Sequence, residues 1–173
     1  MTDAKKFSIK YYFHVLSRMI GDPKTFFSEL SPDTGMKSPL IFLTISALIF
    51  TLSSLMNDPP NPALAAGILL LNAMGMVFVA SGLGYMVIMI TLGKRIAFHR
   101  VFAIYAFSSG VTLLASWMPY FLIITEPWKW WLICTGMTRH LSMSWKQTLS
   151  VVLLSVGIIV LFFWSLIPLL KSA

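Results

Sequence analysis

Hydroxyl groups are the residues of this chain best placed to do chemistry, because they recur at helical spacing inside runs that are otherwise apolar. Tyr105, Ser108, Ser109, Thr112 and Ser116 share one run, and Thr44, Thr51 and Ser54 form a similar stripe in another. Facing each other, two such stripes can line a narrow, low-charge path. They can equally form a packed interface in which each hydroxyl bonds to a backbone carbonyl one turn earlier. Asn72 carries the same two readings, as an amide that bonds across helices or as a contact to a substrate or ion. No acid, histidine or lysine accompanies these groups at mid-run, where a proton- or ion-coupled transporter would place one.

The other reactive residue types point away from catalysis. His14, His99 and His140 fall on three separate segments without acids or cysteines at ligand spacing, so neither a metal nor a haem site is expected. Cys134 is the only cysteine, which excludes a disulfide framework or a metal-binding pair and reads as packing. Glu126 and Lys129 stand three apart, the spacing of a local helical ion pair. There is no nucleophile elbow, Walker loop or paired metal motif. No catalytic, cofactor-binding or metal-binding residue is assigned, and the chain is expected not to be an enzyme.

The elements that must position these groups are written in the hydropathy. Hydrophobic residues make up 57% of the chain and charged ones 11%, against roughly 45–50% and about 25% in soluble domains. The apolar runs are continuous rather than alternating, so the fold class expected is all-α, a polytopic bundle of membrane helices rather than a barrel. Five crossings are expected, at about 39–56, 63–92, 101–125, 128–144 and 148–170, forming a membrane domain over 39–173. Asn57, Asp58, Pro59, Pro60, Asn61 and Pro62 make a tight turn after the first run. The third run is expected to continue past Pro119 as a kinked helix. Ending it sooner would place Glu126, Lys129 and three tryptophans inside the fourth span, where a charge costs about 2.5–3.5 kcal/mol.

The second run carries Ala66, Ala73 and Ala80 at intervals of seven, with Gly75 and Gly82 on a different face. Small residues allow close approach of helices, so this run is expected at the centre of the bundle. Asn72, Gly75, Gly82, Ser108, Thr112 and Ser116 are therefore candidate helix-packing or pathway residues.

Residues 1–38 read as a cytoplasmic segment. Over 6–20, Lys6, Lys10, His14, Ser17 and Arg18 share one face of a helix, while Ile9, Tyr12, Val15, Leu16, Met19 and Ile20 lie on the other, so the helix is expected along the membrane surface. Gly21 ends it, and Asp22 can cap a short second helix opening at Pro23 and carrying Phe26 and Phe27. Lys6, Lys10, His14, Arg18, Phe26 and Phe27 are candidate contacts to the membrane surface or a partner. The charges interrupting this segment argue against a cleavable signal peptide.

With five crossings, eleven of the thirteen lysines and arginines fall on one side, leaving Lys129 and Lys171 opposite. By the positive-inside rule the amino terminus is expected in the cytoplasm and the carboxyl terminus across the membrane. This topology and attraction to anionic lipid account for the net charge of +7 without nucleic acid.

Four stretches carry a family resemblance. They are Asp22-Pro23-Lys24-Thr25-Phe26-Phe27; Leu92-Gly93-Lys94-Arg95-Ile96-Ala97-Phe98 with Val101-Phe102-Ala103-Ile104-Tyr105-Ala106 after it; Trp117-Met118-Pro119; and Gly136-Met137-Thr138-Arg139-His140-Leu141-Ser142. In order and spacing, over about 17–163, they resemble the Yip (Ypt/Rab-interacting) domain family of five-span membrane proteins. The resemblance implies a non-enzymatic membrane protein; eukaryotic members act in vesicle traffic with small GTPases and bind one another. The compact length is similar to that of bacterial members, which points to a bacterial cytoplasmic (inner) membrane. The function expected is a scaffold or adaptor, with membrane lipids and either itself or other membrane proteins as partners. The alternatives are a small permease or lipid-handling protein, or an accessory subunit of a larger membrane complex. A hydrated cavity reaching Asn72 and Thr112 would favour transport or lipid handling, and a dry interior the scaffold.

Overall fold

The computed structural model describes residues 9–93 and 95–171. Among them are seven α-helices: α1 (Ile9–Gly21), α2 (Pro23–Glu29), α3 (Lys37–Ser54), α4 (Pro62–Leu92), α5 (Phe98–Ser116), α6 (Leu122–His140) and α7 (Trp145–Lys171). Four stretches are long and apolar enough to cross a membrane: Lys37–Asn57, Pro62–Leu92, Phe98–Ser116 and Trp145–Phe162. The helix α6 has 19 residues, but Glu126, Lys129 and Arg139 keep its hydropathy lower.

Local chemistry explains most boundaries. Asp22 caps α2 by accepting from Thr25 N at 3.2 Å, and Pro23 sits in the first turn, where no backbone N–H is needed. Asn61 does the same for α4 through Leu64 N, followed by Pro62. At α7 a reciprocal box forms: Gln147 N donates to Ser144 Oγ and Ser144 N donates to Gln147 Oε1. Gly93 ends α4 at φ 60°, a left-handed conformation that glycine adopts without steric cost.

The third run does not form the long kinked helix expected of it. Its helix ends at Ser116, a short 3-10 turn follows at Pro119–Phe121, and α6 starts at Leu122. A proline at 119 has no backbone N–H to donate and disfavours the helical region for the residue before it, so the chain breaks there. Ser116 Oγ donates to Thr125 Oγ1 at 3.3 Å, tying the end of α5 to the start of α6. Glu126 and Lys129 consequently lie within ~6–11 Å of the start of α6, near the end of the bundle, where they pair at 2.6 Å. The energetic objection to an early helix end is met by this position and pairing.

The centre of the bundle is α5, not α4. All twelve residues from Val101 to Thr112 are buried, and α5 packs on α3, α4 and α6. The inner seam of α4 is Val77, Ser81, Gly84 and Ile88, the i, i+4, i+7, i+11 set of one helix face. Leu71, Val79, Met86 and Ile90 are exposed on other faces, and a Cβ added at Gly67, Gly75 or Gly82 would meet nothing. Small residues permit close approach but do not say which side a neighbour takes. Here the approach is used at Gly84, Gly110 and Gly136, against Tyr105, Phe42 and Ile104 respectively.

Candidate functional site

Two regions gather the candidate residues. The first is built by α1 and α2. Lys6 lies outside the described residues. Lys10 and His14 are exposed, and Arg18 pairs with Glu29 at 2.7 Å, joining the two helices. Glu29 is held below the usual carboxylate range by the hydrogen bond from Arg18, and Asp22 by hydrogen bonding from Thr25.

The apolar side of α1 is divided between two environments. Tyr12, Val15 and Met19 are buried against the bundle, whereas Ile9, Phe13 and Ile20 are exposed. The Tyr12 hydroxyl meets Ser46 Oγ at 3.0 Å and its ring lies 4.9 Å from that of Phe42. Burial pushes the Tyr12 phenol up, while its hydrogen bond to Ser46 pulls the other way. Ser38 Oγ donates to the Tyr11 hydroxyl at 3.1 Å. This helix is thus docked on α3 as well as presenting an outward face.

Phe26 and Phe27 depart from the expectation of a surface contact. Phe27 is fully buried and Phe26 nearly so. The Phe26 ring meets Phe107 at 5.3 Å, and Phe27 lies beside Gly136, which has no side chain to block it. Two adjacent aromatics on a seven-residue helix can bury their area only by entering a larger body, and the α5–α6 seam receives them. The sequence signal was Gly136, three residues before the charged end of its helix.

The second region is a cavity of about 440 Å³ bounded by α4, α5, α6 and α7, with Phe50 of α3. One wall is the α5 stripe Tyr105, Ser109, Thr112 and Ser116, again i, i+4, i+7 and i+11. Asn72, Met76 and Ala80 come from α4, Trp130 and Ile133 from α6, and Val156 and Ile159 from α7. Asn72 and Glu126 are exposed, so the cavity reaches the surface.

The expected partner stripe of Thr44, Thr51 and Ser54 does not face this wall; α4, α6 and α7 do. Thr44 Oγ1 donates to Leu40 O at 2.8 Å within its own helix. Thr112 donates to the carbonyls of Ser108 and Ser109, and Ser116 to that of Thr112. The backbone-bonding and cavity-lining readings therefore coexist, because each such hydroxyl still has an oxygen that can accept. Ser108 is buried on another face of α5, with its Oγ unpartnered. Gly75 and Gly82 are not among the residues lining this cavity. Asn72 and Thr112 are brought to one cavity, whereas the sequence alone placed them on different runs.

His99 and His140 both lie near the start of α5, each held by its own contact. His99 Nε2 lies 3.3 Å from Pro32 O, while Arg100 donates to His140 O at 2.6 Å and to its Nε2 at 3.4 Å. Among the described residues no three His, Cys, Asp or Glu side chains gather as a metal site would require. Cys134 is buried and unpaired with another cysteine.

An all-helical bundle, apolar on its exposed faces and polar mainly at its ends, defines an α-helical integral membrane protein. The chain belongs to the Yip1 domain family, whose model matches residues 18–167, from within α1 to within α7. All four stretches that carry the resemblance lie inside that match. No curated protein and no solved structure matches the chain. The Yip1 family is not a known enzyme family, and its proteins interact with components of membranes.

Proposed function

We propose that this Yip-family protein is a non-enzymatic scaffold or adaptor of a bacterial cytoplasmic membrane. It crosses five times, with α6 as the crossing that its charges disguise, and α1 lies at the cytoplasmic surface beneath the amino terminus. The observation that supports association is the outward face of α4. Thirty-one residues long, this helix packs on α3, α5 and α7, while at Gly75 and Gly82, seven apart, an added Cβ would meet nothing in the same chain. Small residues at such a spacing let another helix backbone approach closely.

Crosslinking in the native membrane tests this, followed by purification in mild detergent and mass spectrometry. A stoichiometric partner or defined homo-oligomer is expected, and the paired change Gly75→Ile with Gly82→Ile should abolish it while leaving helical content intact. A protein that stays solitary in both forms overturns the scaffold reading.

One observation favours a second reading, lipid handling. The cavity reaches both Asn72 and Thr112, the two positions at which that reading places its pathway.

A further inference from the structure

Two helices long and apolar enough to cross a membrane, α3 and α5, fix the depth of α1. Along α3, Ser38 and Ser46 are ~12 Å apart; the Tyr11 hydroxyl meets the first at 3.1 Å and the Tyr12 hydroxyl the second at 3.0 Å. The α1 backbone therefore lies between these two levels, below the point at which α3 begins. The helix α5 gives the same depth independently. Phe107 stands ~13.5 Å beyond the start of that helix, and its ring meets Phe26 at 5.3 Å and Phe42 at 5.4 Å, while Phe42 in turn meets Tyr12 at 4.9 Å. One aromatic cluster thus joins α1, α2, α3 and α5 near the middle of a ~30 Å hydrocarbon layer.

The helix carries three rows of side chains. Tyr12, Val15 and Met19 are buried in the bundle, and Lys10, His14 and Arg18, four apart, make a basic row with no acid between Ile9 and Gly21. Ile9, Phe13 and Ile20 form the third row, 73%, 60% and 57% exposed. Among the described residues nothing covers it. Ile9 and Phe13 share with Tyr12, Ile45 and Ile49 a cavity of about 180 Å³ between α1 and α3, and the exposed face of α3 continues from it through Leu48 and Leu52. Ile45 and Ile49 stand ~12 and ~18 Å beyond the start of α3, a depth that a protein in the cytoplasm does not reach. One turn of a second helix, ~10–12 Å wide, is larger than this cavity. Acyl chains meet both conditions.

We propose that α1 and α2 form a wedge inserted in the cytoplasmic leaflet, with Ile9, Phe13 and Ile20 against its acyl chains and the basic row toward its head groups. The helix α1 alone, 13 residues long, takes the place of about 200 Å² of lipid in one leaflet, from a length of ~20 Å and a width of ~10–12 Å. Area added to one leaflet is accommodated best where that leaflet is convex, which is why interfacial amphipathic helices respond to curvature. The protein therefore favours membranes that bulge toward the cytoplasm. The proposal takes the placement of α1 at the cytoplasmic surface from the reading above and is independent of the scaffold role.

Power-saturation electron paramagnetic resonance of the full chain in phospholipid vesicles tests the insertion. Spin labels are attached singly through Ile9→Cys, Lys10→Cys or Phe13→Cys in a Cys134→Ala background, with Leu52→Cys on α3 as the hydrocarbon reference. At Ile9 and Phe13 oxygen is expected to reach the label more readily than a water-soluble nickel chelate, as at Leu52, and at Lys10 the reverse. Nickel access at Phe13 equal to that at Lys10 places α1 above the hydrocarbon and overturns the wedge. Protection from both reagents means that protein rather than lipid covers the row, and overturns it too. Sidedness is read separately, from a fluorescent protein fused at the amino terminus, so a failure of the cytoplasmic placement is distinguishable from a failure of insertion. For curvature, the chain is reconstituted into vesicles of mixed size, and protein density is scored on those whose amino-terminal tag is open to protease from outside. Density should rise as diameter falls. The combined change Ile9→Ser, Phe13→Ser and Ile20→Ser, confined to exposed side chains, should abolish that rise with helical content unchanged. Density independent of diameter in the unaltered chain overturns the curvature preference, and a rise that survives the triple change overturns its assignment to α1.

Discussion

Arg18, Asp22 and Glu29 govern how the amino-terminal helices hold together, and their chemistry gives a pH dependence. Asp22 caps α2, and Glu29 bonds Arg18 across the α1–α2 junction. Both carboxyls titrate below their ordinary range in the folded protein, so the unfolded segment binds protons first as pH falls. Their stabilisation is therefore complete above the ordinary carboxylate range of about pH 4. It is lost as pH drops through the lowered values. Amide hydrogen exchange over residues 9–30, corrected for its intrinsic pH dependence, should show protection declining between pH 5 and pH 3. Glu29→Gln should already be less protected at pH 7 and should change less on acidification. Protection that stays constant across this range would remove the ion pair and cap from the account. The capping pair Asp22-Pro23 was readable in the sequence, because its partners are three residues apart. The bond from Arg18 to Glu29 was not, since it depends on the angle between two helices.

The helices meet where a missing side chain makes room for a large one. At Gly136 an added Cβ would lie 2.5 Å from Ile104 and 3.2 Å from Phe27, so Gly136→Ala must push apart the seam that holds α2. A destabilisation of about 1–3 kcal/mol is expected, typical of overpacking. Gly75→Ala, which meets nothing within the chain, should be neutral or up to about 1 kcal/mol stabilising through helix propensity. Thermal unfolding of the monomeric variants in detergent distinguishes them, and equal effects would contradict the packing described. Composition alone does not separate these glycines, because both are small and both lie in apolar helices. The difference is whether a neighbouring helix stands opposite. The same limit explains why α4, with its alanines at intervals of seven, was expected at the centre that α5 occupies.

For the whole molecule, the number of crossings decides where the two ends lie. The proposed five crossings would put the carboxyl terminus across the membrane from the amino terminus, and α6 is the helix on which this turns. Alkaline phosphatase fused at the carboxyl terminus, active only outside the cytoplasm, should be active, and a fluorescent protein at the amino terminus should fluoresce. An inactive phosphatase in an intact fusion would remove α6 from the crossings and abolish the five-span topology. Glu126 lies in the second turn of α6 and Arg139 in its last, while Lys129, nearer the middle, is paired with Glu126 at 2.6 Å.

By itself the sequence determined the helical class, the apolar segments, the turn at 57–62, the cap of α2 and the family. These follow from composition, from the satisfaction of backbone groups in lipid and from interactions a few residues apart. Only the tertiary structure decided that α5 is central, that Phe26 and Phe27 point inward, and that Asn72 shares a cavity with the α5 hydroxyls. In a membrane protein the apolar residues facing lipid and those facing other helices are chemically alike, so hydropathy gives the lengths of the helices but not their neighbours.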